Sequence, residues 1–174
     1  MPLFLRISST EWLEHLDTPS WVVPDTIRLA KLLPALGVDL LDVSSGGNSP
    51  QQRIPPVAND DDHHVRPNPY YQVDIAGQVR EAVRQEGKKL LIGAVGMITK
   101  AEMARSLVQE GERRSSGTVE VEVSEGATTR ADIVFVARQF LREPNWVLKV
   151  ADELGVEVKV ANQYMRAPRR KTRL

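Results

Sequence analysis

The stretch ADIVFVARQFLREP, residues 131–144, decides the fold, because an apolar strand runs directly into a short arginine-bearing turn and then into a proline-started helix. The earlier stretch LLIGAVGMIT, residues 90–99, is a second buried strand that ends at a glycine, where backbone can approach a ligand closely. In (β/α)₈ barrels the loops after the last two strands, with a short extra helix, commonly present N–H groups and a cation to a phosphoryl group. The two stretches therefore predict neighbouring strand ends that bind a phosphate.

The same alternation of strand and helix runs along the rest of the chain. Apolar segments predict strands at residues 2–8, 38–43 and 90–99 and from residue 132. Segments bounded by proline and glycine predict helices at residues 24–36, 72–85, 101–109 and 145–154. Four repeats of strand and helix predict parallel βα units, so the expected fold class is α/β.

The composition is that of an ordinary globular domain, with 174 residues of which 41% are hydrophobic and 26% charged. No apolar run approaches the roughly 20 residues of a membrane span, and strand-like sequence follows Met1 at once, so we expect a cytoplasmic protein without a signal peptide. Lys+Arg and Asp+Glu are equal at 23 each, which predicts no nucleic-acid or membrane partner. A small-molecule ligand is the expected partner.

Two inserted loops interrupt the repeat within a domain predicted to span residues 1–167. The loop at 53–69 follows the second strand and lies on the rim where barrel ligands bind, whereas the loop at 112–130 lies on the opposite rim. His63 and His64 follow three aspartates, but adjacent loop residues rarely converge on one ion, so we predict no metal site. Residues 168–174 are predicted to be a disordered basic tail.

Six segments together resemble one family. In chain order they are PLFLRIS (2–8), GVDLLDVSSG (37–46), YQV (71–73), GAVGMIT (93–99), FVARQFLREP (135–144) and NQY (162–164). They are similar to the old yellow enzyme family, and within it to the thermophilic-like class of FMN-dependent NAD(P)H oxidoreductases and ene reductases. The resemblance implies the C-terminal half of a (β/α)₈ barrel, strands five to eight. The first half of that barrel, with its tyrosine and its substrate-binding histidine pair or histidine and asparagine, has no counterpart here.

The resemblance implies a role for Arg6 beside the flavin N1 and C2 carbonyl. If Leu5 and Ile7 face the surrounding helices, the alternation of a strand points Arg6 into the barrel mouth. A guanidinium there stabilises the negative charge that gathers on the flavin when it accepts hydride. The residues by themselves leave a second interpretation open, in which Arg6 pairs with Asp42 inside the barrel.

The resemblance also implies an FMN phosphate site at the last two strand ends. Arg138 would contact the phosphate, and the N–H groups of Ala137 and Arg138, with Gly96 and Met97, would complete the cradle. Many family members have glycine where this chain has Ala137, and an alanine is costly there if the backbone needs a positive φ. Taken alone, Gly96 is better explained by a tight turn without a ligand.

Two further predictions concern the same rim and the C-terminus. Ser45 and Gly46 end the second strand and either line the flavin or substrate side or cap the following segment. Arg166 corresponds, by resemblance, to an arginine that reaches across a dimer interface into the substrate pocket of the partner. The alternative is a tail arginine in solvent.

The function implied is FMN-dependent transfer of hydride from NADPH or NADH to the flavin and then to an activated alkene or similar acceptor. A half barrel has unpaired strand edges, so we expect a homo-oligomer or a complementary half-barrel partner, with little turnover in this chain alone. The alternative is a non-catalytic half-barrel that serves as an interaction or assembly module, or a truncated gene product. A third possibility is a barrel enzyme that binds a sugar phosphate.

Overall fold

The computed structural model describes residues 1–54, 68–109 and 129–163. Four strands alternate with helices, and each predicted strand is found. The elements, in chain order, are β1 (Phe4–Ser8), α1 (Val23–Leu32), β2 (Leu40–Ser44), α2 (Val73–Gln85), β3 (Leu91–Val95), α3 (Ala101–Val108), β4 (Ile133–Phe135), α4 (Arg138–Arg142) and α5 (Trp146–Glu153), with a 3₁₀ turn at Leu33–Leu36.

The strands form one parallel sheet in the order β1-β2-β3-β4. Arg6 is in register with Asp42, Asp42 with Gly93, and Gly93 with Ile133. Sequential parallel strands joined by helices confirm the predicted α/β class and form half of a barrel wall. Within the described residues β1 and β4 each pair on one side only, so the wall is open.

One face of the sheet carries the helices and the main hydrophobic core. Leu41 and Val43 of β2 and Ile92 and Ala94 of β3 are fully buried in this core. Leu5 and Ile7 of β1 pack against the same cluster, as the predicted alternation requires. Helix α2 lies against β2, β3 and α1, while α3 covers β4 and contacts α5.

The opposite face, which we call the concave wall because it corresponds to the inner wall of a barrel, is only partly covered. Phe4 and Leu91 belong to its lowest layer and remain 57% and 47% exposed, although Leu40 between them is fully buried. Gly93 permits the Phe135 ring to lie across the wall, because a Cβ on Gly93 would meet that ring at 2.4 Å. Parallel sheets are normally covered on both faces, so this exposed layer departs from the usual arrangement.

Two helices differ from the sequence prediction. The segment predicted as one helix over 24–36 is divided into α1 and the 3₁₀ turn, because Pro34 has no N–H to donate to the carbonyl one turn earlier. Gly37 then ends the turn with a φ of +80°. The turn expected after β4 contains the five-residue helix α4, which begins at Arg138.

An ion-pair cluster ties α2 to the N-terminal edge of the sheet. Oδ2 of Asp132 accepts a hydrogen bond from the Ile92 N–H at 2.8 Å. Oδ1 of Asp132 accepts hydrogen bonds from Nε of Arg80 at 3.0 Å and from Nη2 of Arg84 at 3.1 Å. Arg80 also donates to the carbonyl and hydroxyl of Thr129. Its side chain is 9% exposed and that of Arg84 is 50% exposed, so the two arginines differ in burial as well as in the bonds to Thr129.

Several sequence predictions lie wholly or largely outside the described residues. They concern the inserted loops at 53–69 and 112–130, His63 and His64, Arg166 and the tail at 168–174. In the parts of the chain that the structure does describe, no helix has the length and apolar character needed to cross a membrane. The same parts contain no group of three or more histidine, aspartate or glutamate side chains that could hold a metal ion.

We expect Arg80→Ala to lower the free energy of unfolding by about 3 kcal/mol, because it leaves the largely buried Asp132 carboxylate without its main partner. Arg84→Ala is the matched control and should cost less than about 1 kcal/mol, since its pair with Asp132 is half exposed. Urea denaturation of the three proteins provides the measurement. Equal losses in the two variants would show that the cluster does not hold α2 to the sheet.

Candidate functional site

The carboxyl ends of all four strands lie at one edge of the sheet, because the strands are parallel. Ser45 and Gly46 follow β2 directly, Gly96 and Met97 follow β3, and Ala137 and Arg138 lie just after β4. Arg6 projects from the concave wall below this rim. The structure therefore brings the described candidate residues to one rim and one face.

The ends of β3 and β4 are direct neighbours. Val95 is in register with Phe135, so Gly96 and Val136 leave adjacent strands side by side, about 5 Å apart. Helix α4 begins two residues after Val136, with Ala137 at its N-cap. The two segments predicted to form a phosphate cradle thus leave the sheet at the same point.

The backbone after β3 takes an unusual conformation at two successive residues. Gly96 has a φ of +112° and Met97 a φ of +52°, and Met97 is 46% exposed. A positive φ at a non-glycine residue costs roughly 1 to 2 kcal/mol and persists only where the surroundings impose it. Strain of this kind is concentrated at ligand-binding sites, which makes the turn a functional candidate.

The backbone conformation at Ala137 does not require glycine. Its φ is −123°, outside the left-handed region, so alanine fits without that penalty. Arg138 is exposed, and it forms no ion pair with any other residue that the structure describes. Its guanidinium is therefore a cation at the rim that is not neutralised by the described part of the fold.

Arg6 and Asp42 form an ion pair on the concave wall. Nε and Nη2 of Arg6 both lie 2.5 Å from Oδ2 of Asp42. The Arg6 side chain is nevertheless 55% exposed, whereas Asp42 is 5% exposed and its Oδ1 has no hydrogen-bond partner among the described residues. The two interpretations of Arg6 are thus compatible, because the guanidinium pairs with Asp42 and still presents an open surface to the barrel mouth.

Burial raises the pKa of Asp42 above its ordinary value of 3.8, because desolvation disfavours the carboxylate. The hydrogen bond and the positive charge of Arg6 act in the opposite direction and do not cancel this effect. Arg6 provides the main interaction that favours the charged form of Asp42. Removal of Arg6 should therefore change the charge state of Asp42, and removal of Asp42 should change the position of the Arg6 guanidinium.

Ser45 belongs to a hydrogen-bonded chain that crosses three strand ends. Trp12 Nε1 donates to Ser45 Oγ at 3.0 Å, Ser45 Oγ donates to Gln72 Oε1 at 2.8 Å, and Gln72 Nε2 donates to the Val95 carbonyl at 2.7 Å. Trp12 follows β1, Ser45 follows β2, and Val95 ends β3. Ser45 thus bridges other rim residues and does not cap the segment that follows it.

Gly46 lies beneath the Trp12 ring. Its φ is +56°, its N–H donates to the Thr10 carbonyl at 2.8 Å, and a Cβ there would come within 2.8 Å of Trp12 Cδ1. The Trp12 ring also lies 5.9 Å from that of Tyr71. Gly46 therefore has a packing role at the rim, next to the predicted ligand face.

Sequence reasoning assigned no role to Trp12 or Gln72. Gln72 lies in the segment YQV that contributed to the family resemblance, and this was the one available signal for it. Trp12 lies in the segment after β1, where no motif or periodicity marks it. Both residues acquire their significance from contacts between distant parts of the chain.

Comparison with known proteins identifies relatives along nearly the whole chain, although no family model matches it. An NADH:flavin oxidoreductase of Gibberella zeae is 38% identical over 93% of this chain and 33% of its own length. NADPH dehydrogenases of Geobacillus sp. and Halalkalibacterium halodurans are 33% and 36% identical over 95% of this chain, and 37% and 38% of their own lengths. The chain spans about a third of the length of these relatives.

A solved structure of ligand-free DHODH from Eimeria tenella superposes with a TM-score of 0.49 and 19% identity, covering 87% of this chain and 34% of that one. The four parallel βα units described above have the strand order of consecutive units of a (β/α)₈ barrel. The chain is similar along nearly its whole length to about a third of the NADH:flavin oxidoreductase and of each NADPH dehydrogenase, which is consistent with the C-terminal half of a barrel of the old yellow enzyme family.

We expect Asp42→Asn to gain stability relative to the unaltered chain as the pH rises from about 4 to about 7. The folded protein binds the Asp42 proton more tightly than the unfolded chain, so its contribution to stability is complete below 3.8 and is lost as pH rises through the raised pKa. Asparagine has no proton to lose and escapes this loss. Denaturation at several pH values measures the difference, with the exposed-loop change Asp17→Asn as control. A gain that shrinks toward neutral pH would refute the stated sign.

Proposed function

We propose that this chain is the FMN-binding part of an NAD(P)H-dependent oxidoreductase of the ene reductase type. The observation that carries the proposal is the left-handed Gly96–Met97 backbone, which lies beside the Arg138 segment at the ends of paired strands. The printed names of the relatives support a flavin and a nicotinamide donor, NADPH or NADH. The family resemblance supports FMN as the flavin.

The phosphate end of the site has the chemistry that a dianion requires. Successive backbone N–H groups in a turn can point toward one side and form an anion-binding concavity. Gly96 and Met97 have such a backbone, and Arg138 adds an exposed cation that can form charge-assisted hydrogen bonds. The N–H groups of Ala137 and Arg138, at the start of α4, complete the proposed cradle.

The ring end of the site depends on Arg6. Bound FMN supplies the hydride-carrying ring. Arg6 would lie beside the N1 and C2 carbonyl edge, where its fixed positive charge stabilises the negative charge that develops on reduction. Oδ2 of Asp42 accepts a hydrogen bond from the Arg6 guanidinium, which restricts the orientation of Arg6. Ser45 and Gly46 lie on the neighbouring rim and would support the flavin or substrate side.

Reduction of an activated alkene would need residues from outside this chain. The first half of the family barrel supplies the substrate-binding pair, and this chain corresponds to about a third of its relatives. The partly exposed concave wall and the outer edges of β1 and β4 suit a complementary half-barrel or a second copy. In such an assembly Arg166 would enter the substrate pocket of the partner.

The first test is flavin binding by the purified chain. We expect FMN absorbance to copurify, and Arg138→Ala to weaken FMN binding roughly 10- to 100-fold, because a charge-assisted hydrogen bond to phosphate is lost. Riboflavin, which lacks the phosphate, should bind equally to both proteins. Arg142→Ala, another exposed arginine on α4, is the matched control. A chain that binds neither flavin would refute the proposal.

The second test concerns the ring end. Arg6→Gln should lower the midpoint potential of bound FMN by on the order of 30 mV, about tenfold in the two-electron equilibrium, since a positive charge near the reduced ring is removed. Redox titration against a reference dye gives the value. Arg28→Gln, on the outer helix α1, should leave the potential unchanged. A potential unaffected by Arg6→Gln would place Arg6 away from the ring.

The exposed apolar layer favours one alternative function. Phe4 and Leu91 on an open wall are also what a non-catalytic half-barrel assembly module would present. Such a module would be a colourless, well-folded oligomer. The flavin-binding test above separates the two functions.

A further inference from the structure

We propose that Gln72 is a positioning residue that holds the Gly96–Met97 turn in its phosphate-binding conformation. The inference rests on the proposed FMN site and adds to it a residue that would not contact the cofactor. Gln72 lies at the N-cap of α2, on a different element from either strand of the cradle. Its influence would therefore act through the backbone of β3.

The side chain of Gln72 is directed toward the rim and away from its own helix. It forms no capping hydrogen bond to α2, although it occupies the N-cap position. Instead, Nε2 donates to the Val95 carbonyl at 2.7 Å and Oε1 accepts the Ser45 hydroxyl at 2.8 Å. Since Gln72 is only 5% exposed, these two bonds satisfy a polar group that is largely withdrawn from water.

The contact with the turn is direct. The Val95 carbonyl belongs to the peptide unit between Val95 and Gly96. The hydrogen bond from Gln72 therefore restricts the orientation of this peptide plane, at which the turn begins. A Cβ on Gly96 would come within 2.9 Å of Gln72 Nε2, which places the carboxamide against the turn backbone. Gly96 is thus a glycine for two reasons, its φ of +112° and the closeness of Gln72.

Met97 explains why such support is needed. Its φ of +52° is unfavourable for a residue with a Cβ, and strain of this kind persists only where surrounding contacts impose it. Ser45 accepts from Trp12 Nε1 while donating to Gln72, so the orientation of the carboxamide is itself determined by residues after β1 and β2. This chain of hydrogen bonds connects the turn to segments at the ends of three strands and so restricts its motion.

The test compares two ligands that differ in the phosphate alone. Gln72→Met keeps the length of the side chain and its neutral charge but removes both hydrogen bonds. We expect FMN affinity to decrease roughly tenfold because the N–H groups of the turn no longer converge on the phosphate, whereas riboflavin affinity stays within about twofold. Gln78→Met, on the exposed face of α2, is the matched control and should change neither. Equal weakening of both ligands, or of neither, would overturn the proposal.

A second measurement reports on the turn without any ligand. The three-bond HN–Hα coupling and the Cα chemical shift of Met97 should leave their left-handed values in Gln72→Met and stay unchanged in Gln78→Met. If the unaltered chain binds no flavin, the proposed function is wrong and this measurement alone decides the role of Gln72. Unchanged Met97 signals would then overturn that role.

Ser45 provides a milder variant in case Gln72→Met does not fold. Ser45→Ala removes the hydroxyl that orients the carboxamide, and Ser45→Thr retains a hydroxyl. We expect the alanine variant to show the same selective loss of FMN affinity, of about threefold or more, and the threonine variant to restore it. Loss in both variants, or in neither, would contradict the proposed orienting role.

Discussion

The in-register parallel pairing of β1 to β4 is the constraint on which the rest of the structure depends. Because the strands are parallel, every segment that follows a strand leaves from the same edge, and residues far apart in sequence meet there. Because the register is unshifted, Arg6, Asp42 and Gly93 form one row across the concave wall. A slip of one residue would move that row to the helix-covered face. The rim and the wall are therefore consequences of backbone hydrogen bonding.

Charge is buried differently at the N-terminal edge of the sheet and on its concave wall. At the N-terminal edge Asp132 uses both oxygens, accepting a backbone N–H and two arginines, and this arrangement is structural. On the concave wall Asp42 uses one oxygen for Arg6 and leaves the other without a partner in the described residues. An incompletely satisfied carboxylate and a half-exposed guanidinium are costly for stability alone. The cost is understandable if the wall is completed by a ligand or by another part of a barrel.

Much of the fold could be predicted because its signals are local. Apolar runs and proline and glycine boundaries mark each strand and most helix ends within a few residues. The positions of Gly96 and Arg138 on one rim follow once strand order is known, because consecutive parallel strands share an edge. Prediction was less complete where non-local contacts decide the result. Gln72 could be recognised as part of a motif, but its bond to Val95 joins residues 23 positions apart, and Trp12 is joined to Ser45 across 33.

The sequence by itself determined the order of the βα units and the family resemblance, and it predicted a phosphate-binding rim, because each depends on contiguous residues. The tertiary structure alone decided how Arg6 combines an ion pair with exposure, why alanine is acceptable at residue 137, and which side chains contact the left-handed turn at Gly96 and Met97. The physical reason is that burial, backbone strain and hydrogen-bond partners are properties of neighbours in space. Those neighbours come from separate strands, from the segments that follow them and from the start of α2, and they are brought together when the sheet forms.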